Sequence, residues 1–436
     1  IYTYTYISQY ISFVLTLIKS VSLTFCNNKM LIIYIIQKVV YIRRPTISCV
    51  IREVFNMDTH SGLKYHYRVW ELTGLIQPEG MSRRRFLLYA IILNTFVTLF
   101  FPMTLLAKLF YTQSLPELCE NLTITITDIA AGLKFLNVFL VLKELKKIRH
   151  LVKQLDARAL EVNNEEELGV LDRGVRWSKN SFRIFAGIFV FGTCLSCLRV
   201  YLSKERTLLY PAWFGIDWRQ SDSAYGIIFA YQFLGLVVQA LQDCANDSYP
   251  PAFLCLLTAH MRVLELRIRR IGYEGHGSRG DAHAKLVECI QDFMQIHRLT
   301  NIIQQILSVT CMVQFACSAA VQCTVAMHFL FISGSNDLSA MALSLVFFAA
   351  VTLEIFIFCY FGDGLQAQSM ALLNAFYSCN WMEQSLEFRR DLIIVMIRTQ
   401  KVSYICAGGY IPLTLETFVQ VMRFTYSAFT LLLKAV

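Results

Sequence analysis

The sequence is short of charge: Asp, Glu, Lys and Arg together make up 16% of 436 residues, against 56% hydrophobic residues. A soluble fold of this length carries about 25% charged residues and cannot hold so much apolar surface inside itself, so a bilayer is the natural sink for the excess. Catalytic signatures are also missing. The eight histidines never approach an H-E-x-x-H or Cys/His zinc spacing, and no glycine-rich loop follows a strand pattern, which leaves neither an enzyme chemistry nor a cofactor or metal site to expect. The formal charge of +9 does not read as nucleic-acid binding, because the basic residues fall between apolar runs and form no aromatic-interleaved patch. Contact with anionic lipid headgroups is the better meaning. Most of the fourteen cysteines, among them Cys194, Cys244, Cys311 and Cys359, lie inside apolar stretches and read as small packing residues rather than bridges or ligands.

What the chain has instead is a series of long apolar runs. A bilayer core of about 30 Å takes about 20 residues of helix. The run 86–109, behind the basic collar Arg83, Arg84 and Arg85, meets that requirement. Further runs at 123–142, 182–202, 224–241, 302–332, 338–361 and 407–433 bring the expected count to seven and the fold class to an all-α polytopic membrane protein. Basic residues near span ends stay on the cytoplasmic side. The connection after the second run holds Lys143, Lys146, Lys147, Arg149, Lys153, Arg158, Arg173, Arg176 and Lys179, and the one after the fourth holds Arg262, Arg267, Arg269, Arg270, Arg279, Lys285 and Arg298. The connections 111–122 and 333–337 hold none, and 203–223 has only Lys204, Arg206 and Arg219. These loops predict a cytoplasmic N-terminus and an outer C-terminus.

The fourth run does not stop at the membrane. Its pattern continues past Asp243, Asn246 and Asp247, through Pro250 and Pro251, to Arg270, and as one helix it would be about twice the bilayer thickness. The sequence predicts an exit near Asp243, a kink at the prolines, and a cytoplasmic helical anchor region built with 286–303 and 365–400. The stretch 272–281 reads as a flexible loop. In domain terms, 57–85 is a cytoplasmic N-terminal segment, 86–361 a ligand-binding bundle of six spans, 362–406 the anchor segment and 407–436 a last, pore-lining helix. Residues 1–56, rich in Ile, Tyr and Leu without a clean span, read as translated upstream sequence or a gene-model extension, or else as an additional membrane helix. Asn121 opens an N-L-T sequon in the first outer loop, within reach of glycosylation, used or accidental; Asn246 opens N-D-S on the inner side and is expected to stay bare.

Two groups of residues are candidates for function. Asp128, Lys134 and Glu354 are ionisable groups inside spans, either pairing with neighbouring helices or handling a ligand or ion. Asp128 and Lys134, six apart, do not share a helix face as residues three or four apart would, and Asp128 is expected near the outer surface. The outer halves of spans two, three, four and six offer Thr127, Ala131, Phe189, Phe191, Cys194, Tyr225, Phe229, Tyr231, Phe347, Phe348 and Thr352. These are helix-packing and lipid-facing groups, or else the wall of a cavity that takes small apolar ligands by dispersion and water exclusion.

The closing stretch NAFYSCNW at 374–381, then Arg398, Thr399, Gln400, Gly408, Leu413, Glu416, Thr417, Phe418 and FTYSAFTLL at 424–432, resembles the C-terminal signature of insect odorant receptors. The likeness extends upstream through YHYRVWELTGL (65–75), ENLTITITD (120–128) and SYPPAFLCLLTAH (248–260), covering about residues 57–436. The resemblance implies seven spans with a cytoplasmic N-terminus, matching what the loop charges gave independently and opposite to a G-protein-coupled receptor. It further implies an odorant-gated, non-selective cation channel: a tuning subunit that joins a common co-receptor in a hetero-tetramer in the dendritic membrane of olfactory neurons, binding small volatile odorants. The family's pore-lining stretch corresponds to 422–430, which makes Met422, Tyr426 and Thr430 the pore candidates; Arg423 departs from a purely apolar lining. A gustatory receptor, the nearest rival, would resemble T-Y-x5-Q-F in its last helix. Thr425 and Tyr426 are present without the glutamine–phenylalanine pair. A transporter is disfavoured by the lack of an internal repeat.

Overall fold

The computed structural model describes residues 58–436, apart from 113, 204–205, 220, 274–278, 333–337 and 436. The expectations for residues 1–56, for 274–278 and for the outer connection 333–337 lie outside the described residues.

The chain is built from helices. A 3-10 turn, Thr59–Leu63, leads into α1 (Lys64–Leu72). Then comes α2 (Arg83–Leu109), which widens into a π-helical stretch at Asn94–Phe100. The widening falls just before Pro102, whose missing N–H leaves the carbonyl of Thr98 without its usual donor. Next are α3 (Leu115–Leu140), α4 (Leu142–Val162) and α5 (Glu165–Leu202). The N-cap of α5 is Asn164, whose side chain accepts from the amides of Glu166 and Glu167 at 3.0 and 3.3 Å. They are followed by α6 (Asp222–Arg270), α7 (Arg279–Ile332), α8 (Leu338–Ser378), α9 (Leu386–Thr399) and α10 (Leu415–Ala435). Between α9 and α10 lies a two-stranded hairpin, β1 (Cys406–Ala407) with β2 (Ile411–Pro412), turned by Gly408 and Gly409 at positive φ.

Six helices, α2, α3 and α5 to α8, are long and apolar enough to cross a membrane. The seventh, α10, has 21 residues and spans about 31 Å at 1.5 Å per residue, with Glu416 and Arg423 interrupting its apolar pattern. Helices α5, α6, α7 and α8 run 38, 49, 54 and 41 residues, all beyond bilayer thickness. Their overhangs meet at one end, through ion pairs of Arg267 with Glu167 and Asp292 (both 2.8 Å) and of Arg270 with Glu166 (2.6 Å) and Glu167 (3.0 Å). The Asn380 amide donates to the Ile271 carbonyl at 3.1 Å, tying the end of α8 to the end of α6. This is the end that carries the basic residues of the long connections.

Helix α6 runs as a single helix through both prolines, whose missing donors free the carbonyls of Asn246 and Asp247. One expectation needs correction. The last membrane helix starts at Leu415, not at 407. Residues 406–412 form the hairpin because Gln304 of α7 clamps Cys406 on both sides, accepting from its amide at 2.7 Å and donating to its carbonyl at 2.8 Å. The Gly408 amide donates to the Ser308 carbonyl at 2.8 Å, and helix could not continue through a backbone held in this way.

The N-terminal segment is stapled onto this framework. The amide and hydroxyl of Thr59 donate to the Asp156 carboxylate of α4 at 2.9 Å, and His260 of α6 sits 3.2 Å from the same hydroxyl. Burial pushes the His260 imidazole down to about 4 and the Asp156 carboxyl up to about 6, the latter against the Thr59 hydrogen bonds, which pull it down. Trp70 is fully buried edge-on to Tyr249, with ring centroids 5.7 Å apart.

Candidate ligand cavity

A cavity of about 360 Å³ opens between α3, α5, α6, α7 and α8, with Phe101 of α2 and Tyr210 of the α5–α6 connection closing its sides. Its walls are mostly apolar: Phe185, Ile188, Phe189 and Phe191 from α5, Leu236 from α6, Val321 from α7, and Leu343, Val346 and Phe347 from α8. Tyr210 is held in place from two sides. Its hydroxyl bonds the Ser196 hydroxyl at 2.9 Å, and its carbonyl accepts from Gln232 at 3.0 Å, while the Gln232 carbonyl oxygen accepts from the Leu209 amide at 3.1 Å. A loop residue thus forms a fixed wall rather than a flap.

The end of the cavity nearer the basic pole is different in kind. Lys134, 4% exposed, donates to Asp247 and, at 2.8 Å, to Gln314, which donates in turn to Ser318 at 2.9 Å. Asp128, Asp243 and Glu354 line the same cavity. One carboxylate oxygen on each is buried with no hydrogen-bond partner among the described residues. Asp243 and Asp247 share a face of α6 because they are four residues apart, which places both against α3. Beyond them Asn137 donates to Thr310 (2.9 Å) and to the Ile306 carbonyl (3.1 Å), and Tyr249 bonds the same Thr310 hydroxyl at 2.7 Å, so the polar floor is backed by a fully bonded layer.

The structure brings some of the sequence candidates together and disperses others. Thr127, Phe189, Phe191 and Phe347 line the cavity. Ala131 is buried against other groups, and Cys194 is exposed away from it. Tyr225 donates to the Thr207 carbonyl at 3.0 Å and stacks loosely on Phe229. Tyr231 donates to the Phe96 carbonyl at 2.6 Å and packs on the cluster of Phe101, Leu105 and Ala212, behind the cavity wall that Phe101 forms. Phe348 packs on the Val321, Val325 and Val351 cluster. Thr352 donates to the Phe348 carbonyl at 2.8 Å and accepts from Gln322 at 3.0 Å. Asp128 is 6% exposed and lines the cavity, and Lys134 lines it too because α3 lies along its length. Tyr210, Phe185, Asp243, Asp247 and Gln314 had not been singled out as cavity residues. For Asp243 and Asp247 a signal existed in their four-residue spacing, together with a lone lysine in another apolar run, but their charge had been read as a membrane exit.

Two other expectations change. Asn121 is fully buried in α3, where its Oδ1 accepts from Thr125 at 3.0 Å, and Thr123 of the same sequon bonds Thr324; this conformation has no room for a glycan. Met422 is 6% exposed and turned into its own subunit, its sulfur 3.9 Å from the Gln322 amide nitrogen. Tyr426 is 41% exposed, and Thr430, half-buried, donates to the Ser427 carbonyl at 2.8 Å. Spaced four apart, the three lie along one stripe of α10, which passes from its inward side at Met422 to its outward side at Tyr426. The outward face of α10 carries Gln420, Arg423, Phe424, Tyr426 and Ser427, while Met422, Thr425 and Phe429 turn inward.

The 7tm Odorant receptor family model matches residues 114–426. Odorant receptor 2a of Drosophila melanogaster is 56% identical over 393 residues, covering 88% of this chain and 99% of that one. Odorant receptor 33b of the same species is 30% identical over 367 residues, covering 84% and 94%. Among solved structures, the insect olfactory receptor OR5 from Machilis hrabei in complex with eugenol superposes with a TM-score of 0.69 at 13% identity, covering 87% of this chain and all of that one, which establishes the shared fold. With six membrane-length apolar helices, a cavity between them and matches over most of its length, the chain belongs to the 7tm odorant receptor family of multi-pass membrane proteins.

Proposed function

We infer that this odorant receptor is the tuning subunit of an odorant-gated cation channel and that the cavity among α3, α5, α6, α7 and α8 is its odorant site. The observation that carries the reading is the cavity itself: about 360 Å³ inside the bundle, walled by phenylalanines and aliphatic groups with polar side chains at one end. OR5 of Machilis hrabei, which shares the fold, is known in complex with eugenol. The N-terminus lies in the cytoplasm, on the argument that the basic connections after α3 and α6 are retained there. The subunit assembles with a common co-receptor in the plasma membrane of olfactory neuron dendrites, and the outward face of α10, with Gln420, Arg423, Tyr426 and Ser427, borders the shared pore.

Ligand binding opens the pore only to the extent that the ligand prefers the open state. Helix α10 rests on α7 through Met422 and Gln322, and on α8 through Phe418 against Phe356 with ring centroids 5.5 Å apart. Helices α7 and α8 also wall the cavity, so a ligand that shifts them carries α10 along. Co-expression with the co-receptor and recording of cation current across a panel of volatiles tests the reading. Evoked current with a subset of volatiles is the expected result, and silence across the panel with surface delivery verified contradicts it.

A further inference from the structure

Five glutamines are buried among the described residues: Gln232, Gln239, Gln242, Gln314 and Gln322. Four of them are hydrogen-bonded. Gln232 accepts from the Leu209 amide and donates to the Tyr210 carbonyl, Gln242 donates to Thr98 at 3.2 Å, Gln314 accepts from Lys134 and donates to Ser318, and Gln322 donates to Thr352. Gln239 is the exception. It lines the cavity from α6 and is 6% exposed, yet its side chain has no hydrogen-bond partner among the described residues. Its amide oxygen and nitrogen both keep accessible surface, unlike the sealed oxygens of Asp128, Asp243 and Glu354. On α6 it follows Leu236 of the apolar wall by three residues and precedes Asp243 by four, so the amide stands where the apolar wall gives way to the polar floor. The hydroxyls of Thr127, Thr193 and Ser196, which also line the cavity, donate back to the carbonyls of Thr123, Phe189 and Gly192 at 2.8, 2.9 and 3.0 Å. Their protons are spent inside their own helices, whereas Gln239 keeps two N–H donors and a carbonyl acceptor unspent. A buried amide is costly to leave unpaired, so the group that satisfies this one has to come from what fills the cavity.

We propose that Gln239 is the specificity-determining residue of this receptor and that its ligands are neutral, oxygen-bearing volatiles: the oxygen accepts from the Gln239 amide nitrogen while the hydrocarbon body lies against the phenylalanine-lined wall. The inference rests on the cavity being the odorant site. A ketone, ester or alcohol brings an accepting oxygen to the amide. A hydrocarbon of the same shape fills the same volume, excludes water from the amide and returns no hydrogen bond, so it binds less well by the difference. A charged ligand would give up far more hydration than one neutral amide returns.

The test pairs oxygen-bearing volatiles with hydrocarbon isosteres: acetophenone with α-methylstyrene, 2-phenylethanol with propylbenzene, and the most potent oxygen-bearing volatile of a broad panel with its own isostere. Each is applied to the receptor co-expressed with its co-receptor, and current is read against concentration. In the wild type the oxygen-bearing member of each active pair is expected to be more potent by about fivefold or more, the scale of one neutral hydrogen bond. Gln239→Met keeps the length of the side chain and removes its polarity, and is expected to bring that ratio close to one. Because the ratio is taken within one receptor, a change in surface density cancels, and a merely structural role for Gln239 would weaken both members alike. Isosteres of equal potency in the wild type, a ratio that Gln239→Met leaves unchanged, or current evoked only by volatiles without oxygen overturns the inference while leaving the odorant-site reading in place. Current evoked by no volatile at all, with the receptor at the surface, overturns both. Should Gln239→Met fail to reach the surface, Gln239→Leu takes its place, and should that fail too, the wild-type ratio alone decides.

Discussion

Lys134 is the residue on which the interior depends most. Its ammonium is satisfied by Asp247 and Gln314, and a methionine there would leave a buried carboxylate and a buried amide without their partner. Breaking a buried pair from one side costs about 3–5 kcal/mol. Lys134→Met is therefore expected to lower the thermal unfolding midpoint of detergent-purified receptor and the fraction reaching the surface. An unchanged midpoint would mean that the pair contributes little. Phe347 makes the complementary case. It forms cavity wall without a polar role, so Phe347→Ala is expected to enlarge the cavity and reorder the ranking of active volatiles towards bulkier ones, with surface expression preserved; an identical ranking would place the ligand elsewhere. At this scale the sequence was partly legible. Ionisable residues in an apolar run announce themselves, which is how Lys134, Asp128 and Glu354 stood out. Their partner Asp247 did not, because near the end of a run a carboxylate looks the same whether it meets solvent or a lysine from another helix. Aromatic residues were the least legible, since packing and cavity walls draw on the same residue types.

Among the elements, helix existence was readable from apolar runs, and helix ends were not. The start of α10 was missed by eight residues because the apolar content of 407–414 is the same in hairpin and helix; what sets the hairpin is Gln304, about a hundred residues earlier. The hairpin exit also lies very close to α8. A Cβ added at Gly362 would run into the Leu413 carbonyl oxygen, so Gly362→Ala must push the lead-in to α10 away from α8. We expect that variant to reach the surface with reduced maximal current and little change in odorant ranking, and normal currents would show that the contact can relax. The Thr59, Asp156 and His260 contact makes a prediction about pH. The Asp156 carboxyl is raised to about 6, above its unfolded value of 3.8, so its contribution to stability is complete below that value and is lost as pH rises through about 6. His260 is lowered to about 4, so its contribution holds above its unfolded value of 6.5 and is lost as pH falls towards 4. In unfolding midpoints measured from pH 5 to 8, Asp156→Asn is expected to gain on the wild type as pH rises through about 6, because the variant has no buried carboxylate to ionise. A constant offset between the two curves would show that Asp156 does not titrate in that window.

On the scale of the whole molecule, the low charge content and the apolar runs carried the helical architecture almost unaided, because the bilayer leaves a chain few ways to satisfy its backbone. The cavity was much less legible: it is a volume left over among five helices, and no local pattern encodes a space that nothing fills. The central claim is that this space holds the ligand that opens the pore. Gly192 allows it to be closed cleanly, since it lines the cavity and a Cβ there meets nothing within 4 Å. The most direct measurement is odorant-evoked current from Gly192→Phe co-expressed with the co-receptor, beside the wild type at matched surface density. The account predicts that responses to ligands active on the wild type fall at least about tenfold in sensitivity, the scale of losing one well-buried apolar contact. Wild-type sensitivity and ranking in the filled receptor would contradict it.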